Sequence, residues 1–321
     1  MRIVYEQRAS VILYNLLKSF DKEGIFLIPA NVCPIVVATF LKAKRPFEFI
    51  DISNETLCVD HEVILSKIKA GNKKIAGVLF VRTYGTNVLF DDLFEKIKSA
   101  QNSLFLIDDS CLSIPDFEAE SKFADAVLFS TGNTKYVDIG FGGFALLKPN
   151  ISYDRFEEKY NPRDHEQLIA SFREAISNDG TVKYQDSSWL NFTIPRLSLK
   201  NYKNLVSLEE KRSTDLKTKI NSVYFNNLPK EIQLGSNFNL WRFNILVPDK
   251  EQLLKEIFHN GLFASSHYAP ASKLFAGNDC PNACSLYAKV INLFNDFHFD
   301  ENRALEVTKI IKKFISKESL C

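Results

Sequence analysis

The chain lacks most of what marks a nucleic-acid-binding, membrane or metal-dependent protein. It has no charge imbalance: 40 Lys and Arg stand against 39 Asp and Glu, a formal net charge of +1. That balance gives no reason to expect a nucleic acid or an anionic membrane as main partner. No run reaches the roughly 18 consecutive apolar residues that span a bilayer, and the opening MRIVYEQRAS lacks the apolar core of a secretory signal. A cytoplasmic location is the expectation. No GxGxxG follows the early strand-like segments, which argues against a dinucleotide oxidoreductase, and no GxxxxGK followed by Ser or Thr exists, which excludes a phosphate-loop enzyme. Cysteine is sparse and scattered, at Cys33, Cys58, Cys111, Cys280, Cys284 and Cys321. A single CxxxC at Cys280 and Cys284, without a second pair or a histidine cluster, is read as free thiols, and no metal site is expected.

What is present is a chain of 321 residues, 45% hydrophobic, long enough to bury one large core or two moderate ones. Its first 150 residues alternate helix-period stretches with short apolar runs. Val11 to Phe20 leads into IFLIP (Ile25 to Pro29), and a helix from about Ile35 leads into FEFID (Phe47 to Asp51). His61 to Lys69 leads into IAGVLFV (Ile75 to Val81), and Leu89 to Ser99 leads into LFLIDD (Leu104 to Asp109). This rhythm predicts an α/β fold with a mainly parallel sheet. Past Asn150 the texture becomes charged and helical, over Asp164 to Ser177 and Leu197 to about Ile220. WRFNILV (Trp241 to Val247), a helix over Lys250 to His259, GLFAS (Gly261 to Ser265), KVINLF (Lys289 to Phe294) and a helix over Glu301 to Lys317 then predict a smaller α+β domain. The expected division is a large domain over 1–197 and a small one over 198–321.

Glycine is also scarce, 12 in all, yet three fall at Gly140, Gly142 and Gly143, closing the stretch FSTGNTKYVDIGFGG. Here the apolar run AVLFS (Ala126 to Ser130) reads as a buried strand, and Lys135 follows five residues after its last serine. The run LFLIDD ends in Asp109, 26 residues before Lys135, a spacing that suits neighbouring parallel strands. A lysine and an aspartate at adjacent strand ends are what pyridoxal phosphate chemistry needs, one for a Schiff base and one for the pyridinium nitrogen. Read singly, Lys135 is a solvated loop lysine and Asp109 a helix N-cap. Asp108 points to the opposite face. Ala9 and Ser10, opening the first helix, and Ser130 are candidate donors to the cofactor's phosphate, or ordinary caps. His267 and Tyr268 are candidates for the substrate pocket or plain structural hydrogen-bonders. Arg8 and Arg196 are either anion binders or surface residues.

These motifs resemble the sugar aminotransferases of the DegT/DnrJ/EryC1/StrS family, which are fold type I pyridoxal phosphate enzymes. Ser130, Lys135, Gly140, Gly142 and Gly143 fall at that family's spacing. IDDSC supplies Asp109, Ala9 and Ser10 match the phosphate loop, and PANVCP (Pro29 to Pro34) matches the loop after the next strand, with Cys33 beside the cofactor. TYGTNVLFDDL, SSHYAP and VINLF extend the likeness along the whole chain. In SWLNFTIPRLS the candidate for an asparagine that reaches the partner subunit's phosphate is Asn191. The resemblance implies pyridoxal 5'-phosphate as cofactor, Lys135 as catalytic residue, L-glutamate as amino donor and a keto-sugar nucleotide as acceptor. It also implies a homodimer with shared active sites, serving amino-sugar and surface-polysaccharide synthesis. Leu112, Phe141 and Cys33 depart from the family's Gln or His, acidic residue and stacking aromatic. They leave two alternatives: a degenerate, non-catalytic regulator, or a pyridoxal phosphate enzyme acting on a non-nucleotide substrate. Relatives that dehydrate sugars have lost the lysine, and Lys135 is retained.

Overall fold

The computed structural model describes residues 1–71 and 73–318, so Cys321 lies outside the described residues. A seven-stranded sheet is laid down first, as β1 (Arg2–Glu6), α1 (Ala9–Ser19), β2 (Ile25–Pro29), α2 (Pro34–Lys42), β3 (Phe47–Ile50), α3 (His61–Ala70) and β4 (Ile75–Val81). It is completed by α4 (Asp91–Ala100), β5 (Phe105–Asp109), β6 (Ala126–Ser130) and β7 (Gly143–Leu147). The strand order is β1-β7-β6-β5-β4-β2-β3. Strands β3, β2, β4, β5 and β6 run parallel, while β7 is antiparallel to both β6 and β1. The interior strands are buried along their whole length. That is why they read as continuous apolar runs and not as alternating ones.

Pleat parity decides what each face receives. Phe105 and Ile107 of β5, with Ala126 and Leu128 of β6, join the core against α1 and α2. Leu106, Val127 and Phe129 join the core on the side of α3 and α4. Extending that alternation by one step puts Asp109 and Ser130 on the α1 face and Asp108 on the other.

After α5 (Pro162–Ser177), the 29-residue α6 (Leu199–Asn227) carries the chain to a second unit. Its early residues Tyr202 and Val206 pack into the large sheet's core, and its later Ile220 and Tyr224 into a separate one. That second core is built on a three-stranded antiparallel sheet made from β8 (Phe243–Leu246), β9 (Ala264–Ser265) and β10 (Val290–Leu293), in the order β8-β10-β9. Helices α7 (Lys250–His259) and α10 (Glu301–Glu318) complete it, whereas α8 (Ala271–Leu274) and α9 (Pro281–Lys289) set Ala271 and Ala283 into the large sheet's core. The α/β class, the mainly parallel sheet and the smaller α+β unit agree with the expectation from sequence.

Several boundaries differ from that expectation. Helix α6 runs seven residues past Ile220, because Tyr224 is fully buried and its hydroxyl donates to the Phe294 carbonyl at 2.7 Å. Of GLFAS only Ala264 and Ser265 pair: Gly261 takes φ +70° at the end of α7, and Leu262 N–H still bonds back to Ile257. Strand β1 lies outside that expectation, and Cys280 stands at the N-cap position of α9 with no side-chain capping bond.

Candidate active site

The carboxyl ends of β1, β2, β4, β5 and β6 open on one edge of the sheet, the place where ligands bind in open α/β folds. Between β6 and β7 lies the loop that holds Lys135, and its shape follows from its own hydrogen bonds. Asp138 accepts from Thr134 N–H at 2.7 Å and from Gly140 N–H at 3.0 Å. The Thr131 hydroxyl donates to the Phe141 carbonyl at 2.7 Å, and Ile139 N–H donates to Thr131. Gly142 has φ +89°, and a Cβ there would strike the Tyr202 ring at 2.6 Å. A Cβ on Gly143 would lie 2.4 Å from Ala9 N, so only glycine lets β7 close against the start of α1.

The two aspartates of β5 are separated as the pleat requires. Asp108 is bidentate with Arg82, at 2.9 and 2.8 Å. Asp109, 5% exposed, accepts from Cys111 N–H at 3.0 Å. No helix follows it, so the capping alternative does not apply. Burial drives its carboxyl above the usual carboxylate range, opposed by the Cys111 hydrogen bonds and the Lys135 ammonium.

Lys135 is the common electrostatic neighbour of this region. Besides Asp109, it acts on Cys33, Cys111 and His267. Burial raises both thiols, with Lys135 opposing. Burial, then Arg242, then Lys135 push His267 down to about 4, so its imidazole is neutral near pH 7. Desolvation raises Tyr268, with Cys33 and Asp109 adding to it. Lys135, Asp109, Cys33, His267 and Tyr268 are thus brought together from four places in the sequence.

Ser130, 6% exposed, stands at the end of β6 on the α1 face and accepts from Gly132 N–H at 3.4 Å. Ser10, in the first turn of α1, has no hydrogen-bond partner for its N–H or hydroxyl among the described residues. Ala9 is pressed against Gly143. Asn191 joins none of these groups within one chain; its side chain accepts from Thr193 N–H at 3.0 Å. Arg196 is exposed. Leu112 is buried in a cluster with Tyr84 and Trp241, and Phe141 packs toward Tyr202.

Three residues that sequence reasoning passed over belong here. Trp241 Nε1–H donates to the Thr134 carbonyl, next to Lys135, and its ring lies parallel to those of Tyr84 and Tyr268. The Tyr84 hydroxyl donates to the His267 carbonyl at 2.6 Å. Arg242 is buried, donates to Ser265 Oγ at 2.8 Å, and leaves its Nε unpaired. Tyr84 lies in the quoted TYG segment; WRFNILV carried only a strand pattern.

No family model matches the sequence, and no curated protein sequence matches it. Solved structures do. A DegT DnrJ EryC1 StrS aminotransferase from Brucella abortus aligns over 98% of this chain and 86% of its own, with a TM-score of 0.68 and 15% identity. PseC from Helicobacter pylori, an aminotransferase involved in the biosynthesis of pseudoaminic acid, aligns over 98% and 87%, with a TM-score of 0.68 and 16% identity. The sugar aminotransferase CalS13 from Micromonospora echinospora aligns over 97% and 87%, with a TM-score of 0.65 and 17% identity. The chain shares the fold of these proteins across nearly its whole length.

Proposed function

We propose that the chain is a pyridoxal 5'-phosphate-dependent aminotransferase that moves an amino group from L-glutamate to a keto-sugar nucleotide, in cytoplasmic synthesis of amino sugars such as surface polysaccharides contain. The observation that carries this reading is Asp109: a buried carboxylate with no ion pair among the described residues and Lys135 as its neighbouring cation, on the same sheet face as α1 and Ser130. A carboxylate so placed is costly unless a cation arrives, and a protonated ring nitrogen is such a cation. At the other end, Ser10 at the start of α1 and Ser130 at the end of β6 offer donors, which fits a phosphate. The residues present therefore suit the cofactor at both ends.

When bound, the cofactor supplies a carbon that takes up and returns an amine, and a ring that stores the electron pair freed at the donor's α-carbon. Asp109 holds the proton on the ring nitrogen, in a place dry enough for that charge to count. Lys135 Nζ would anchor the cofactor at rest and, once released, would take a proton from the donor's α-carbon as general base and deliver it as general acid to the cofactor carbon that carries the amine. Ala9, Ser10 and Ser130 hold the phosphate, and Cys33 lines the cofactor's side of the pocket. His267, kept neutral, serves as a hydrogen-bonding wall of the substrate pocket with Tyr268. Asn191 reaches the phosphate held by the neighbouring subunit, so the working unit is a homodimer with two shared sites.

Protein loaded with the cofactor and given L-glutamate alone should release about one 2-oxoglutarate per site, the stoichiometry of a half-reaction. Added keto-sugar nucleotide should then be aminated. Loaded protein that releases no 2-oxo acid from any amino acid contradicts the transaminase reading. It would support the non-catalytic reading, which the apolar Leu112 beside Tyr84 and Trp241 favours.

A further inference from the structure

Arg8 plays no part in the chemistry above, yet its placement breaks two local rules. It is the N-cap of α1, with extended backbone (φ −147°, ψ 145°), no side-chain cap and no acidic residue in the turn that follows. N-caps are normally Ser, Thr, Asp or Asn, whose oxygen accepts from the free N–H groups; a guanidinium only donates. It also sets a positive charge against the positive end of the helix dipole. An unfavourable choice of this kind, repeated at two levels, is what functional sites show.

The surroundings fix where the guanidinium points. A Cβ built on Gly132 would lie 3.0 Å from Arg8 Nη1 and 3.6 Å from Ser130 Oγ. The backbone of Arg8 bridges Gly142, which anchors it beside the lysine loop. The side chain is half-buried and has no ion pair or hydrogen bond among the described residues. Arg8 and Ser130 therefore converge beside Gly132, at the start of the helix whose first turn carries Ser10. The neighbouring acid, Glu6, is engaged by Arg155 at 2.7 Å and by the Tyr153 hydroxyl at 3.0 Å.

We infer that Arg8 is a phosphate-binding residue: its guanidinium completes, with Ser130, Ser10 and the start of α1, a cradle for a phosphate dianion. The inference rests on the proposed function, in which that dianion is the phosphate of pyridoxal 5'-phosphate. Arginine suits the task because its planar fork donates two hydrogen bonds to one phosphate.

The test compares wild type, Arg8→Gln and Arg8→Lys by equilibrium dialysis against pyridoxal 5'-phosphate and against pyridoxal, which lacks the phosphate. Arg8→Gln should weaken binding of the phosphorylated compound about 10- to 100-fold, the size of one charge-assisted hydrogen bond, and leave pyridoxal unchanged. Arg8→Lys should recover part of the loss. Equal binding of pyridoxal 5'-phosphate by Arg8→Gln and wild type overturns the inference, as does a matching loss for pyridoxal. Wild type that binds neither compound fails the functional reading, and inorganic phosphate then decides on Arg8 alone. A phosphate-induced rise in Tm that Arg8→Gln abolishes supports the cradle, and an equal rise in both proteins overturns it.

Discussion

Asp108 and Asp109 are adjacent in sequence and opposite in circumstance, and the difference is testable. Asp108 is neutralised by Arg82, whereas Asp109 is buried with a raised pKa. A carboxyl whose folded pKa lies above its unfolded value contributes stability below the unfolded value and loses it as pH rises through the folded one. As pH rises through the folded value, the ligand-free chain therefore loses stability at Asp109. Asp109→Asn should stabilise ligand-free protein by on the order of 1–2 kcal/mol near pH 7, a gain that shrinks on acidification. Thermal denaturation across pH measures it, and no gain at neutral pH would count against an uncompensated carboxylate. With cofactor present the sign should reverse, because an amide cannot hold a pyridinium proton. His267 behaves in the opposite sense: with its pKa lowered to about 4 from 6.5, its contribution grows as pH rises across that window. Of the candidate site, the positions of Lys135, Asp109 and Ser130 at strand ends and in the following loop were legible because those features are local. Trp241 and Arg242 were not, since only the fold brings β8 to the loop of Lys135.

Helix α6 ties the two cores together, and over 29 residues it spans about 43 Å. Midway along it Lys217 is buried, donating to the Trp241 carbonyl at 2.8 Å and to Asn295 Oδ1 at 2.9 Å. Desolvation lowers its pKa from 10.5 to about 8. Between those two values the unfolded chain binds more protons than the native one, so stability should rise with pH there. Lys217→Met should remove that rise, worth on the order of 1–3 kcal/mol, in denaturant titrations at either end of the window. A slope unchanged by the substitution would mean that Lys217 is hydrated. Element by element, interior strands such as IAGVLFV and AVLFS were readable to the residue, since both faces are covered. β1 was not, because its partner among the described residues is β7, from Arg2 to Leu147, and nothing local declares that pairing. The end of α6 was hidden by polar residues that surround Ile220 and Tyr224.

For the whole molecule, the proposed sharing of Asn191 makes a prediction that no single chain can satisfy. Lys135→Ala and Asn191→Ala should each be inactive or nearly so. Unfolded together and refolded as a mixture, they should regain about a quarter of wild-type activity, since half the dimers would carry one intact site of two. No recovery would place Asn191 outside the site or leave the chain a monomer. Fold class was readable from the strand and helix rhythm. Substrate choice was not, because the groups gathered beside the Lys135 loop, Tyr84, Trp241, Arg242 and His267, come from distant segments.

The central claim, that Lys135 is the covalent anchor of pyridoxal 5'-phosphate, is tested most directly by reductive trapping. Protein incubated with the cofactor is treated with borohydride, digested, and its peptides weighed. The cofactor's mass should appear on Lys135, and should be absent from Lys135→Ala treated the same way. A label spread over surface lysines, or one that persists in Lys135→Ala, would contradict the account.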